Sequence, residues 1–283
     1  MKPVEHVSTM IIGASMLGLG LASRIGRDAL VIEPSNGVGI EFIRSFKLSD
    51  RKYAPLTASG IELHRELIRR NVTDEEGRLH LPGMMPVLIK HITGQKLDVR
   101  MQTQVVEAQP CDGKFEVVCY DASGFRHIVA DRLVDTTSGC VTKVDRCQVK
   151  AKCLNMMLLG SPDAGRTEGL SAYALYQGRF PNETVLKYAV DPMDDWFSAR
   201  SKLFEFWLNR PEPLRSCAFV THADEFDMEF DTQQAQIQPG WDWLPSAYYV
   251  NPLEAYEQGY NLRLGVNGDA FNGETCWGNY AIH

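Results

Sequence analysis

The chain lacks any run of about eighteen apolar residues, the length that a membrane-crossing helix needs, so no transmembrane segment is expected. It lacks a Cys-x-x-C pair: its seven cysteines (111, 119, 140, 147, 153, 217 and 276) are odd in number and scattered. That pattern argues against a disulfide framework, a zinc site or a dithiol redox centre, and reduced thiols fit a cytoplasmic protein. No block of Lys and Arg stands out, and the formal net charge is −7, which argues against a surface built to grip nucleic acid. Metal-ligand spacing, a Ser-His-Asp arrangement, internal repeats and low-complexity linkers are missing as well. The N-terminal apolar stretch has no basic region ahead of it and contains a Gly-rich turn, so it reads as a core strand and not as a signal peptide.

What is present is an ordinary globular composition, 44% hydrophobic and 23% charged, over 283 residues. That length suits one large domain or two interleaved ones. Residues 7–12 form a short buried strand, residues 17–25 have helical apolar spacing, and "DALVIE" gives a second strand, which makes a βαβ unit. "TASGIELHRELIRRN" and "LPGMMPVLIKHI" read as helices. The period then drops to two in "KLDVRMQTQVVEAQP", "KFEVVCYD" and "RHIVADRLVDTTS", separated by the turn signals "CDGK" and "DASG". Residues 150–235 mix the strand-like pieces "KCLNMMLLG", "TVLKYAVD" and "CAFVTHA" with one amphipathic helix, "DWFSARSKLFEFWLNR".

The turn of the βαβ unit, "GASMLG", carries the clearest chemistry. A pyrophosphate is held well by N–H groups at a helix N-terminus, provided the backbone can come close. Gly13, Ala14, Ser15 and Gly18 are small enough to allow that approach, and Glu33 ends the second strand where it can accept from ribose hydroxyls. The pattern departs from G-x-G-x-x-G at its second glycine, which is Ser15.

Two later features complete the picture: a strand ending in Asp-Thr-Thr-Ser-Gly (residues 135–139) and another strand, "LRLGVNGDA", ending in Gly-Asp-Ala. Together these elements resemble the FAD-dependent oxidoreductases of the two-dinucleotide-binding-domain type, with a glutathione-reductase-like FAD fold. The resemblance implies that Gly13, Ser15, Gly18 and Glu33 bind the ADP half and that Val105 of "TQV" offers a backbone group to adenine. It also implies that the 135–139 turn, with Thr137, flanks the cofactor, and that Gly268 and Asp269 reach the ribityl chain. It implies an α/β fold: a Rossmann-like FAD-binding domain (residues 1–150 and 251–283) with an inserted strand-rich α+β substrate domain (151–250).

No second Gly-rich dinucleotide motif lies between residues 100 and 260, so no built-in NAD(P)H domain is expected. The sequence continues for fourteen residues after Asp269, which leaves little to cover a flavin, so the alternatives are a covering homo-oligomer or partner subunit and a very open site. Arg44, in the loop after Glu33, is a candidate to face the flavin or an acidic substrate. His222 and His80 are candidate general bases, and Cys140 follows the 135–139 turn. The dense aromatics Tyr173, Tyr176, Trp196, Trp207, Trp241, Trp243, Tyr248 and Tyr249 read either as a wall for a planar substrate or as core. The expected activity is FAD-dependent oxidation of a small organic substrate, reoxidised by oxygen or an external acceptor. A flavin-dependent monooxygenase or halogenase, or a non-redox FAD-binding subunit, are the alternatives.

Overall fold

The computed structural model describes residues 4–161 and 173–264. The chain opens with β1 (Glu5–Ile12), α1 (Met16–Ile25) and β2 (Ala29–Ile32). β2 is buried at every residue, the mark of a central parallel strand covered on both faces. There follow α2 (Ile40–Ile43), α3 (Ala58–Arg69), whose N-cap is Thr57, and α4 (Met84–Gln95).

Next come β3 (Asp98–Arg100), β4 (Gln104–Cys111), β5 (Lys114–Asp121) and β6 (Gly124–Asp135). The alternating stretch at 96–110 is thus two strands and not one. Gln102 turns with φ +53, its N–H donates to the Ser35 carbonyl, and the Thr103 N–H donates to the Glu33 carbonyl. β3 therefore extends the parallel sheet beside β2, while β4 begins an antiparallel meander.

The remaining elements are β7 (Ala151–Leu159), β8 (Tyr173–Gln177), β9 (Glu183–Val190), α5 (Trp196–Leu208), β10 (Ala218–His222), β11 (Asp227–Glu229), β12 (Ala235–Gln238), β13 (Trp241–Trp243) and α6 (Pro252–Asn261). The first sheet has eight strands, ordered β12-β13-β6-β1-β2-β3, with β5 beside β6 and β4 beside β5. Its core strands β13, β6, β1, β2 and β3 run parallel. The second sheet, β10-β7-β9-β8 with β11 also on β7, is antiparallel, and Ala199 and Leu203 of α5 join its core with Leu154, Met156 and Leu186. The expected architecture, an α/β layer with a second strand-rich unit, is what the chain adopts.

Residues 235–250 fall in the sequence-drawn substrate domain, yet β12 and β13 pair into the first sheet. α6 then lies on α1 so closely that a Cβ on Gly20 would sit 1.9 Å from the Tyr256 carbonyl oxygen, and one on Gly259 2.0 Å from that of Leu17. The two sheets are tied by the segment after α2. Asn155 Nδ2 donates to the Ser45 carbonyl at 2.8 Å, and the buried ammonium of Lys47 meets Asp227 Oδ1 at 3.2 Å.

Candidate functional site

β1 ends in a turn that only glycine fits well. Gly13 has φ +96, and a Cβ there would come within 2.9 Å of Thr136 Oγ1. A Cβ on Gly18 would lie 2.3 Å from the Gly13 carbonyl oxygen, so the first turn of α1 packs straight onto the strand end. Ser15, where the glycine pattern is broken, is the N-cap of α1. Its hydroxyl oxygen accepts from the Gly18 N–H at 3.0 Å, and its O–H donates to Thr136 Oγ1 at 2.7 Å. A second glycine would lose both bonds, which is a physical reason for serine here.

Thr136 in turn donates to the Ile12 carbonyl at 2.9 Å, so the turn after β6 is bolted to the turn after β1. Asp135 shapes that second turn from beneath: Oδ1 accepts from the N–H and hydroxyl of Thr137, and Oδ2 from those of Thr142. Asp135 is completely buried, and burial pushes its carboxyl above the usual range while these four bonds pull it back.

Glu33 closes the other side. Its Oε2 accepts from the Ala14 N–H at 2.8 Å and its Oε1 from the Ser35 N–H at 2.8 Å. Each carboxylate oxygen keeps a further lone pair. Thr103 stands beside it, because the Thr103 N–H donates to the Glu33 carbonyl and Gln104 Nε2 donates to that of Pro34; Val105, in β4, packs on the cluster that holds Ile12 and Ile32. Gly13, Ala14, Ser15, Gly18, Glu33 and Thr137 are therefore gathered around one strand-end cradle.

Arg44 borders the cradle through its hydrogen bond to Asn36, and its carbonyl accepts from the Asp224 N–H. The same loop carries Glu225, whose carboxyl burial raises while the charge of Arg44 lowers it. Gly268 and Asp269 lie outside the described residues. So does most of the strand expected around them: Asn261 closes α6, and 262–264 are irregular.

The other sequence candidates are dispersed. His222 Nδ1 donates to the Ala223 carbonyl at 2.8 Å, with its ring edge-on to Trp196 and Phe204 of α5. His80 pairs with Glu183 at 2.8 Å and lines a cavity of about 400 Å3 with Arg70, Lys90 and Phe180. Cys140 is buried, and burial, with the charge of Asp135, pushes its thiol up to about 12, against the reactive thiolate form. The aromatics divide among separate clusters: Trp241 in the core of the first sheet, Trp243 with Phe230 and Cys140, Tyr173, Trp196 and Trp207 against the second sheet, and Tyr176 and Tyr249 with the cluster around α1 and α6. They form no single wall.

Two residues at the cradle carry no sequence motif. Ser246, in the turn after β13, accepts from the Leu17 N–H at 3.1 Å. Glu41 of α2 accepts from the Met16 N–H at 2.7 Å and from the Ser246 hydroxyl at 2.7 Å. Only the fold brings them to the N-terminus of α1. Among the described residues, no group of three His, Cys, Asp or Glu is placed to hold a metal ion, and no helix is long and apolar enough to cross a membrane.

No family model matches the sequence, and no curated protein matches it. Solved structures do. The p-nitrophenol 4-monooxygenase of Pseudomonas putida aligns over 91% of this chain and 77% of its own, at 13% identity and a TM-score of 0.60. A geranylgeranyl bacteriochlorophyll reductase-like protein of Thermoplasma acidophilum aligns over 91% and 77%, at 13% identity and a TM-score of 0.62. The myxobacterial chondrochloren halogenase, described as a variant of the FAD-dependent halogenases, aligns over 90% and 73%, at 15% identity and a TM-score of 0.59. The chain shares their fold. The cradle fits the adenosine half of a dinucleotide in its glycine approach and in the placing of Glu33, and Glu41 is the one group at odds with an anion there.

Proposed function

We propose that the chain is an FAD-dependent oxidoreductase acting on a small organic substrate. The observation that carries this reading is the cradle: Gly13 at φ +96, Gly18 packed onto the Gly13 carbonyl, and the Glu33 carboxylate 2.8 Å from the Ala14 N–H. This arrangement stands in a fold shared with an FAD-dependent halogenase and a flavoprotein dehydrogenase. When bound, FAD supplies the redox step, accepting a hydride equivalent and passing electrons to oxygen or an external acceptor. The chain's own residues hold and orient it: residues 13–18 approach the pyrophosphate, Glu33 accepts from ribose hydroxyls, and the backbone at Val105 meets adenine. Thr137 flanks the cofactor. Arg44, beside the cradle, is the candidate cation for an anionic flavin or substrate.

The likeness to a monooxygenase and a halogenase favours one second reading, in which the same site activates oxygen. NAD(P)H separates the two. Slow anaerobic bleaching of the flavin band by NADPH alone is expected for the first reading, and rapid bleaching supports the second. A flavin that no organic substrate bleaches points to a non-redox subunit. The central test is the cofactor itself: denaturing the protein, reconstituted if necessary, and chromatographing what is released should give FAD. FMN, or no flavin at all, overturns the proposal.

A further inference from the structure

The N–H groups that open α1 are engaged by the protein's own side chains. Met16 donates to Glu41 Oε1 at 2.7 Å, Leu17 to Ser246 Oγ at 3.1 Å and Gly18 to Ser15 Oγ at 3.0 Å. A glutamate carboxyl thus occupies the positive end of a ten-residue helix, the seat that a pyrophosphate takes in a cradle of this kind. Glu41 is buried. Its Oε1 also accepts from the Ser246 hydroxyl, while its Oε2 is buried with no hydrogen-bond partner among the described residues.

We propose that Glu41 binds the dinucleotide as a neutral acid, its Oε2–H donating to a pyrophosphate oxygen, so that FAD binding takes up a proton. The inference rests on reading the cradle as an FAD site. Three features support it. An ionised carboxylate and a pyrophosphate cannot share one buried helix end without strong like-charge repulsion. Glu41 is pinned there by Met16 and Ser246, so losing its charge is easier than leaving. Protonation on Oε2 leaves both bonds to Oε1 intact, and it gives the one unpartnered oxygen a proton that an incoming acceptor can take.

The surrounding charges agree. Burial pushes the Glu41 carboxyl upward, Glu33 at the end of β2 pushes the same way, and the bonds from Ser246 and Met16 pull it down. Lys47 is turned to Asp227 and to the carbonyls of Met228 and Ala247, and Arg44 to Asn36, so neither pairs with Glu41.

Calorimetric titration with FAD, repeated in two buffers of different ionisation enthalpy, counts the protons taken up. The wild-type protein should take up as much as one proton per FAD, and its affinity should weaken by up to about tenfold per pH unit as pH rises past the point where Glu41 of the free protein ionises. Glu41→Gln keeps an oxygen on Met16 and Ser246 and presents N–H to the phosphate. It should take up no proton, show a flat pH profile and bind at high pH at least as tightly as wild type. Should that variant fail to fold, Ser246→Ala removes a bond that favours the ionised form and should shift the wild-type profile to higher pH. If wild type binds FAD without proton uptake and with a flat profile, the role of Glu41 is overturned while the FAD reading stands. If neither protein binds FAD at any pH, both are overturned.

Discussion

Glu33 Oε2 accepts the Ala14 N–H at 2.8 Å, a bond that joins the end of β2 to the turn leaving β1. The carboxylate is 3% exposed, and its other oxygen takes the Ser35 N–H, so one side chain fixes both the turn after β1 and the loop after β2.

Glu33→Ala should weaken FAD binding and also lower stability, because the Ala14 and Ser35 N–H groups lose their acceptor. A hydrogen bond to a charged acceptor is worth about 1.5–3 kcal/mol, or roughly ten- to a hundredfold in affinity. Fluorescence titration with FAD beside a thermal melt reads the two effects separately. Wild-type affinity in the variant would remove Glu33 from the list of ribose ligands.

The α1–α6 contact gives a sharper stability test. Alanine at Gly20 or Gly259 must displace backbone, since its Cβ would fall 1.9 or 2.0 Å from a carbonyl oxygen. Each should cost at least the upper part of the about 1–3 kcal/mol typical of overpacking. Gly94, exposed in α4 with open space around it, should instead gain up to about 1 kcal/mol as alanine. Urea unfolding midpoints of the three variants should separate in that order.

Much of this cradle is legible in the sequence because its parts are local. A strand, a small-residue turn and a helix announce themselves within residues 8–25, and Glu33 follows as the end of the next apolar run. Glu41 and Ser246 are not legible, because they meet α1 only through packing; their separations from Met16 and Leu17 in sequence are 25 and 229 residues. β13 escapes notice for a related reason. At three residues, Trp-Asp-Trp is too short for an alternating pattern, and its place beside β6 is set by pairing. The aromatics mislead because a Trp in a core and a Trp in a binding wall look the same in one dimension.

Thiol reactivity should sort the cysteines by burial. Burial lifts the thiols of Cys119 and Cys153 to about 11 and that of Cys140 to about 12, whereas Cys111 is exposed. Only the thiolate attacks, so Cys111 should be labelled well before these three in the folded protein, and all should react after denaturation. Mass mapping of a timed alkylation at mildly alkaline pH gives the order. Early labelling of Cys140 would mean that the 135–142 turn opens.

Asp227 makes the last case. It is 1% exposed, on β11 of the second sheet, and it meets Lys47 at 3.2 Å and Lys187 at 3.0 Å, with Asn155 Nδ2 donating to it at 3.3 Å. Asp227→Asn would leave the buried ammonium of Lys47 facing a neutral amide, while Lys187 keeps Glu229 at 3.0 Å, and breaking a buried pair in this way costs about 3–5 kcal/mol. The segment after α2 would lose its hold on the second sheet. The charges of Lys47 and Lys187 outweigh burial and keep the Asp227 carboxyl below its ordinary range. Its stabilising contribution is then fully present above the usual aspartate range and lost as pH falls through the lower folded-state value. The gap in unfolding free energy between wild type and Asp227→Asn should accordingly be widest near neutral pH and shrink on acidification below about pH 4. Denaturant titrations at neutral and acid pH measure it. A gap that stays constant with pH would mean that the variant loses packing and not charge.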